Sequence, residues 1–269
     1  MEGYTRINEH IHRLVIPYKT IFTTVFLLQD GDNAVLFDAA SCDSDMDKRI
    51  LPWLEDLGVV ELTHVFISHN HGDHAGGLKR LLQKFPRIQI VSCSPSLTRE
   101  YGAFHSYAPK DGEKISKSLQ TVHISGHTLD AIGLLDLRTK TLITGDCLQL
   151  HGIFGSDFWG ANISFPAEHL QAVEKVRSLE IEKIFWAHRY EPLGLCAEGR
   201  AAIDKALDAC KDPLLRVRDL ILAYPMENDA GIRSRYNSIG RPLMGEHVVT
   251  AIRKAMKEGM IPLKRKDAK

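Results

Sequence analysis

Within six residues, His69-Asn70-His71-Gly72-Asp73-His74, stand three imidazoles and a carboxylate. Imidazole and carboxylate together are the donor set of zinc, and also of iron or manganese. His69 and His71 are two apart, so an extended backbone turns both to one side. Asp73 and His74 follow where the chain bends towards Ala75-Gly76-Gly77. Two ligand pairs from one loop point to two adjacent ions rather than one. Four donors between the apolar run Val65-Phe66-Ile67 and a glycine pair are hard to explain as a polar surface loop.

A strand must deliver this loop, and the sequence supplies strands and helices in alternation. Strands are expected at 12–16, 23–28, 34–38, 65–68, 88–91, 121–125, 132–137, 140–144 and 183–187. Helices are expected at 48–57, from the metal loop to about Phe85, from Ser164 to Leu179 with Pro166 in the first turn, and over 201–223 and 245–259. The stretch 226–242, rich in Asn, Gly, Arg and Pro, reads as an ordered loop. Such a series predicts a layered α/β domain.

Three further motifs each follow an apolar run. Gly126-His127-Thr128 comes after Thr121–Ser125, Thr144-Gly145-Asp146 after Thr141-Leu142-Ile143, and Ala187-His188-Arg189 after Ile184-Phe185-Trp186. Together with HxHxDH they resemble the metallo-β-lactamase superfamily over roughly the first 195 residues. The resemblance implies a four-layer αβ/βα sandwich with the site at one edge between two sheets. It implies that His69, His71 and His127 hold one ion, that Asp73, His74 and His188 hold a second, and that Asp146 bridges both. Asp73 is in addition the candidate catalytic carboxylate. Asp38, ending an apolar run, resembles the family's early aspartate that orients a ligand or the metal loop. Two ions about 3.5–4 Å apart share a hydroxide whose parent water has a pKa near ~7, and this is the implied nucleophile. Oxygen-reducing di-iron relatives carry a carboxylate at the position of His71, so histidine there favours hydrolysis.

With 44% hydrophobic and 25% charged residues the composition is that of an ordinary globular protein. Formal net charge is zero, which gives no global pull towards nucleic acid or an anionic membrane. No apolar stretch is long enough to span a bilayer, the N-terminal residues lack a signal peptide's apolar core, and five scattered cysteines do not suggest a disulfide framework. These features lead to the expectation of a cytoplasmic protein. The expected organisation is a catalytic domain over 1–195 and a mainly helical extension over 196–269, serving as substrate cap or dimer arm. The extension holds 15 basic and 10 acidic residues. It is expected to set specificity and to leave metal binding to the catalytic domain.

Substrate is less sharply indicated. The motifs look most like the glyoxalase II and lactonase side of the superfamily. The expected function is hydrolysis of a small ester, thioester or lactone with two divalent ions, zinc by default and iron or manganese as alternatives. A phosphodiesterase or other phosphoryl hydrolase is the alternative activity, and a catalytically silent ligand-binding protein the alternative from another class. Partners reduce to a small-molecule substrate and a possible homodimer. His151 and the aromatic loop residues Phe154, Phe158 and Trp159 are candidate substrate contacts, and the same aromatics equally suit a packing hinge. Among the other histidines, His123 is expected to face a hydrogen-bond partner rather than a metal. Cys147 reads as a small buried residue.

Overall fold

The computed structural model describes residues 3–102, 105–156, 159–240 and 242–263. The chain forms two compact units, each assembled from separate segments. The first comprises the chain up to His123 with Asp130–Asp146 and Ile184–His188. The second comprises Ile124–Leu129, Cys147–Lys183 and the chain from Arg189 onwards.

In the first unit seven strands pair in chain order: β1 (Tyr4–Arg6), β2 (Ile11–Tyr18), β3 (Ile21–Asp30), β4 (Asn33–Phe37), β5 (His64–Phe66), β6 (Gln89–Val91) and β7 (Ser106–Tyr107). β1 to β4 form an antiparallel meander, whereas β4 to β7 are parallel. Parallel neighbours need crossovers, and helices supply them. Between β4 and β5 run α1 (Asp43–Asp45), a π-turn (Met46–Ile50) and α2 (Leu51–Asp56). α3 (Gly72–Ala75) and α4 (Leu78–Lys84) precede β6, and α5 (Pro95–Tyr101) precedes β7. The expected single helix after the metal loop is therefore two. At Gly77 an added Cβ would lie 2.3 Å from the Ala39 carbonyl, so backbone packs on backbone there. Trp53, Leu78 and Leu81 from these helices share one buried cluster with Leu36, Val65 and Ile90 from the strands.

A second sheet in this unit places β8 (Leu119–His123), β9 (Ile132–Asp136), β10 (Thr141–Ile143) and β11 (Lys183–Tyr190) side by side. Phe26 of β3 meets Phe185 of β11 with ring centroids 5.6 Å apart, joining the two sheets. Parallel strands offer their carboxyl ends as a ligand-bearing rim. Asp38 follows β4 directly, and His69 stands three residues past β5.

The second unit holds α6 (Pro166–Ser178), β12 (Gly194–Glu198), α7 (Arg200–Ala223), α8 (Asp229–Asn237) and α9 (Glu246–Lys257). Its core gathers Ile163, Leu214, Val217, Ile232, Val248 and Ile252. α8 corrects the expectation of a loop over 226–242. Asn228 caps it, its side chain accepting from Gly231 N at 2.9 Å, and Ile232 is its one buried residue. Polar composition hid a short helix that a cap and one apolar anchor suffice to hold. No helix among the described residues is long and apolar enough to cross a membrane.

Candidate metal centre

Six of the seven sequence-derived ligands lie in the first unit, on strand ends that the two sheets hold. Ligand atoms of His69, His74 and Asp146 all fall within 4.8 Å of one another, as do those of Asp73, His74 and His188. His69, His74 and His188 are buried, Asp73 is half-buried, and His71 is exposed.

The imidazoles are held from behind. Asp38 is fully buried; its Oδ1 accepts from Ser68 N at 2.8 Å, and its Oδ2 accepts from Ser68 Oγ at 3.0 Å and His74 Nδ1 at 2.7 Å. Because the Ser68 hydroxyl proton goes to Asp38, its oxygen accepts from His69 Nδ1 at 3.1 Å. His188 Nδ1 donates to the Phe22 carbonyl at 2.6 Å. In each ring this fixes the tautomer and makes Nε2 the electron-pair donor. Thr24 Oγ1, donating to Ala187 O at 3.0 Å, ties the end of β11 to β3.

What these donors face decides whether a cation suits them. His74 Nε2 is buried without a hydrogen-bond partner, and Asp73 Oδ2 and Asp146 Oδ2 each stand 3.6 Å from it. His188 Nε2 is 3.5 Å from Asp73 Oδ2 and 3.1 Å from Asp146 Oδ1. Donors bound to one ion at about 2.1 Å stand about 3.0–3.4 Å apart, close to these spacings. The lone pair of His69 Nε2 points at His71 Nδ1 across 2.9 Å, which calls for a proton or a cation between them. The donor set thus fits divalent metal.

Without metal, protons take the cation's place. Burial would push the His74 ring down, but Asp38, Asp146 and Asp73 around it outweigh burial and raise it well above its ordinary value. His188 is likewise opposed by burial and raised to about 9, chiefly by Asp146. Burial resists ionisation of Asp146 and Asp73, yet the facing histidines hold Asp146 well below the usual carboxylate range and Asp73 below it.

The other candidates fall in the second unit. His127 Nδ1 donates to the Asn162 carbonyl at 2.9 Å, so its Nε2 too is the lone-pair nitrogen. His151 Nε2 pairs with Asp212 at 3.2 Å. Phe154 is half exposed beneath the Arg189 guanidinium, 4.1 Å from its centroid, Trp159 is 36% exposed, and Phe158 lies outside the described residues. In the first unit His123 donates to Pro109 O at 2.9 Å; Cys147, in the second, is fully buried. Sequence reasoning missed Ser68, which joins Asp38 to His69, although its place directly before HxH was a usable signal. The Phe22 carbonyl gives none, since backbone oxygens leave no trace in residue type.

Asp38→Asn tests this support. An amide nitrogen at Oδ2 would oppose the His74 Nδ1 proton, donor against donor, and drive that proton to Nε2. Zinc affinity in chelator competition should fall about 10–100-fold, with about 1–3 kcal/mol lost from stability. Unchanged affinity would remove Asp38 from the argument.

A profile of the metallo-β-lactamase superfamily matches residues 19–92. The chain is 30% identical over 166 residues to the uncharacterised Bacillus subtilis protein YobT, covering 69% of it and 53% of this chain. The chain belongs to the metallo-β-lactamase superfamily. It is also 30% identical over 173 residues to a hydroxyacylglutathione hydrolase from Nostoc sp., with 62% of this chain and 64% of that enzyme aligned. It therefore spans under two thirds of the curated hydroxyacylglutathione hydrolases it first matches. A solved metallo-β-lactamase family protein from Thermus thermophilus superposes with TM-score 0.69 at 14% identity, covering 94% of this chain and 95% of that one. The fold of this superfamily member is accordingly the expected one, α/β sheets flanked by helices with a helical C-terminal region.

Proposed function

We propose that the chain is a metal-dependent hydrolase of a small ester, thioester or lactone, working with two divalent ions, zinc by default. The observation that carries this reading is the unpartnered, buried His74 Nε2 set 3.6 Å from two carboxylates, its opposite nitrogen anchored by Asp38. In this reading His69, His71 and His127 would hold the first ion, Asp73, His74 and His188 would hold the second, and Asp146 would serve both. When bound, the ions supply Lewis acidity and lower the pKa of a water towards ~7.

The remaining work belongs to the chain's own groups. Asp38, Ser68 and the Phe22 carbonyl hold the Nδ1 protons of His74, His69 and His188 and so aim Nε2 at the ions. Asp73 and Asp146 stay ionised and offset the cationic charge. Asp73, its side chain 14% exposed against 9% for Asp146, is the carboxylate that reaches reacting groups. Phe154 and Trp159, exposed on the loop after Asp146, are offered as apolar contacts for an acyl group.

Purified protein reconstituted with zinc should carry about two ions per chain, as the seven ligands make two sets sharing a bridge. Elemental analysis finding fewer than one would sink the binuclear reading. Chromogenic esters, thioesters and lactones should turn over. Hydrolysis confined to phosphodiesters in the same panel would reverse the substrate class.

A further inference from the structure

The carbonyl that fixes His127 belongs to a short strap, residues 160–163, and in the second unit that strap is clamped by the C-terminal segment. Gly160 N donates to the Leu243 carbonyl at 2.9 Å. A Cβ on Gly160 would stand 2.3 Å from that same oxygen, so the two backbones touch. Ala161 and Ile163 are buried in one cluster with Met244, Val248 and Val249. Between them Asn162 is held by its backbone N–H, its carbonyl and its side-chain oxygen, the last also accepting from Ser164 Oγ at 3.4 Å. Its N–H donates to Gln149 Oε1 at 2.9 Å, its carbonyl accepts from His127 Nδ1 at 2.9 Å, and its Oδ1 accepts from His247 Nε2 at 2.9 Å. His247 sits in the first turn of α9.

The other side of the His127 loop is packed equally closely. Gly126 O accepts from Phe165 N at 2.8 Å, just before α6. A Cβ on Gly126 would lie 2.7 Å from the His169 backbone. His169 itself is fully buried, with Nε2 donating to the Cys210 carbonyl at 2.9 Å. α6 thus packs against one side of the His127 loop, and the strap holds Nδ1 of the ring.

We infer that the C-terminal segment is part of the metal-binding machinery: His247, through Asn162, positions His127, so that α9 sets the affinity of one of the two ions. This rests on the proposed role of His127 as a ligand. It departs from the expectation that residues 196–269 leave metal binding to the catalytic domain. His247 and Asn162 act as positioning residues, since neither reaches the metal. Outer partners of ligand histidines carry effects of about 10–100-fold on affinity, and a contact one bond further out should fall at the lower end.

The test uses the full chain with His247→Ala, His247→Gln and Gly160→Ala, and with His127→Ala as reference. His247 is exposed, so its removal spares the core. Cobalt titration followed by visible absorption resolves the two ions. In the metal-free protein, solvent exchange of the His127 Nδ1 proton by NMR reports positioning without any metal. In His247→Ala one ion should bind roughly 10-fold more weakly and the other as in wild type, with faster exchange of the His127 proton. His247→Gln, whose amide can still donate to Asn162, should restore affinity to within about 3-fold. Gly160→Ala, which pushes the strap off Leu243, should weaken the same ion at least as much. Wild-type affinities and exchange in both His247→Ala and Gly160→Ala would overturn the inference. If His127→Ala itself keeps both ions at wild-type affinity, the ligand assignment fails, while the proton-exchange data still say whether α9 holds the ring.

Discussion

Asp146→Ala is expected to lower hydrolysis by about 10²–10⁴-fold, because metal-assisted chemistry contributes several kcal/mol and each ~1.4 kcal/mol is a decade in rate. Asp146 follows β10 by three residues, and its carboxylate meets both His188 Nε2, at 3.1 Å, and His74 Nε2, at 3.6 Å. Asp73 also meets both rings, at 3.6 and 3.5 Å, but through its Oδ2 alone, whereas Asp146 turns Oδ2 to His74 and Oδ1 to His188. The fold should survive, since the side chain lies at a strand end and not in the apolar cluster. Asp146→Asn keeps the shape and removes the charge, so its loss should be smaller. Steady-state rates with circular dichroism on the same samples decide the matter. Near-native turnover by the alanine variant would end the bridging role.

A second large effect is in pH. In metal-free protein His188 holds its proton up to about 9, and His74 is raised well above its ordinary value. A ligand imidazole must be deprotonated, so near pH 7.5 zinc has to displace these protons. Zinc binding should release one to two protons, and apparent affinity should climb about tenfold per pH unit per proton released, the His188 contribution ending near 9. Calorimetry in buffers of different ionisation heat measures the count. Zero release between about pH 6 and 8 would contradict the charge distribution described. The same shifts carry a stability consequence of opposite sign. Groups whose pKa is raised by folding stabilise the metal-free protein fully below their unfolded value near 6.5, and that support is lost as pH rises through about 9. Metal-loaded protein should not show this alkaline loss.

The metal loop was legible because four donors crowd into six residues behind an apolar strand. His127, Asp146 and His188 were legible because each follows its own apolar run. α8 was not, because a cap and a single buried isoleucine leave no periodic pattern over nine residues. Nor was β12, a strand whose residues are mostly half-exposed and show no alternation. The support of the site was least legible of all. Asp38 could be singled out as a residue, but its three hydrogen bonds could not, since they join positions 30 and 36 residues apart. The carbonyls of Phe22 and Asn162 hold His188 and His127 with atoms that every residue possesses.

The segmented course of the first unit has a consequence for how the chain is made. Its seven-stranded sheet is complete by Tyr107, but β11 arrives about 40 residues after β10 and brings the last ligand, His188, with it. At a synthesis rate of about 5–20 residues per second, the nascent chain spends seconds with β10 unpaired on that flank. During that interval Asp38, Asp73, His74 and Asp146 already exist without their final counterpart. A strand edge of Thr141-Leu142-Ile143, wholly buried in the finished protein, is then open to mispairing. Ribosome-bound chains halted before Lys183 should therefore be the protease-sensitive, chaperone-dependent species, and chains extended past Tyr190 the protected one.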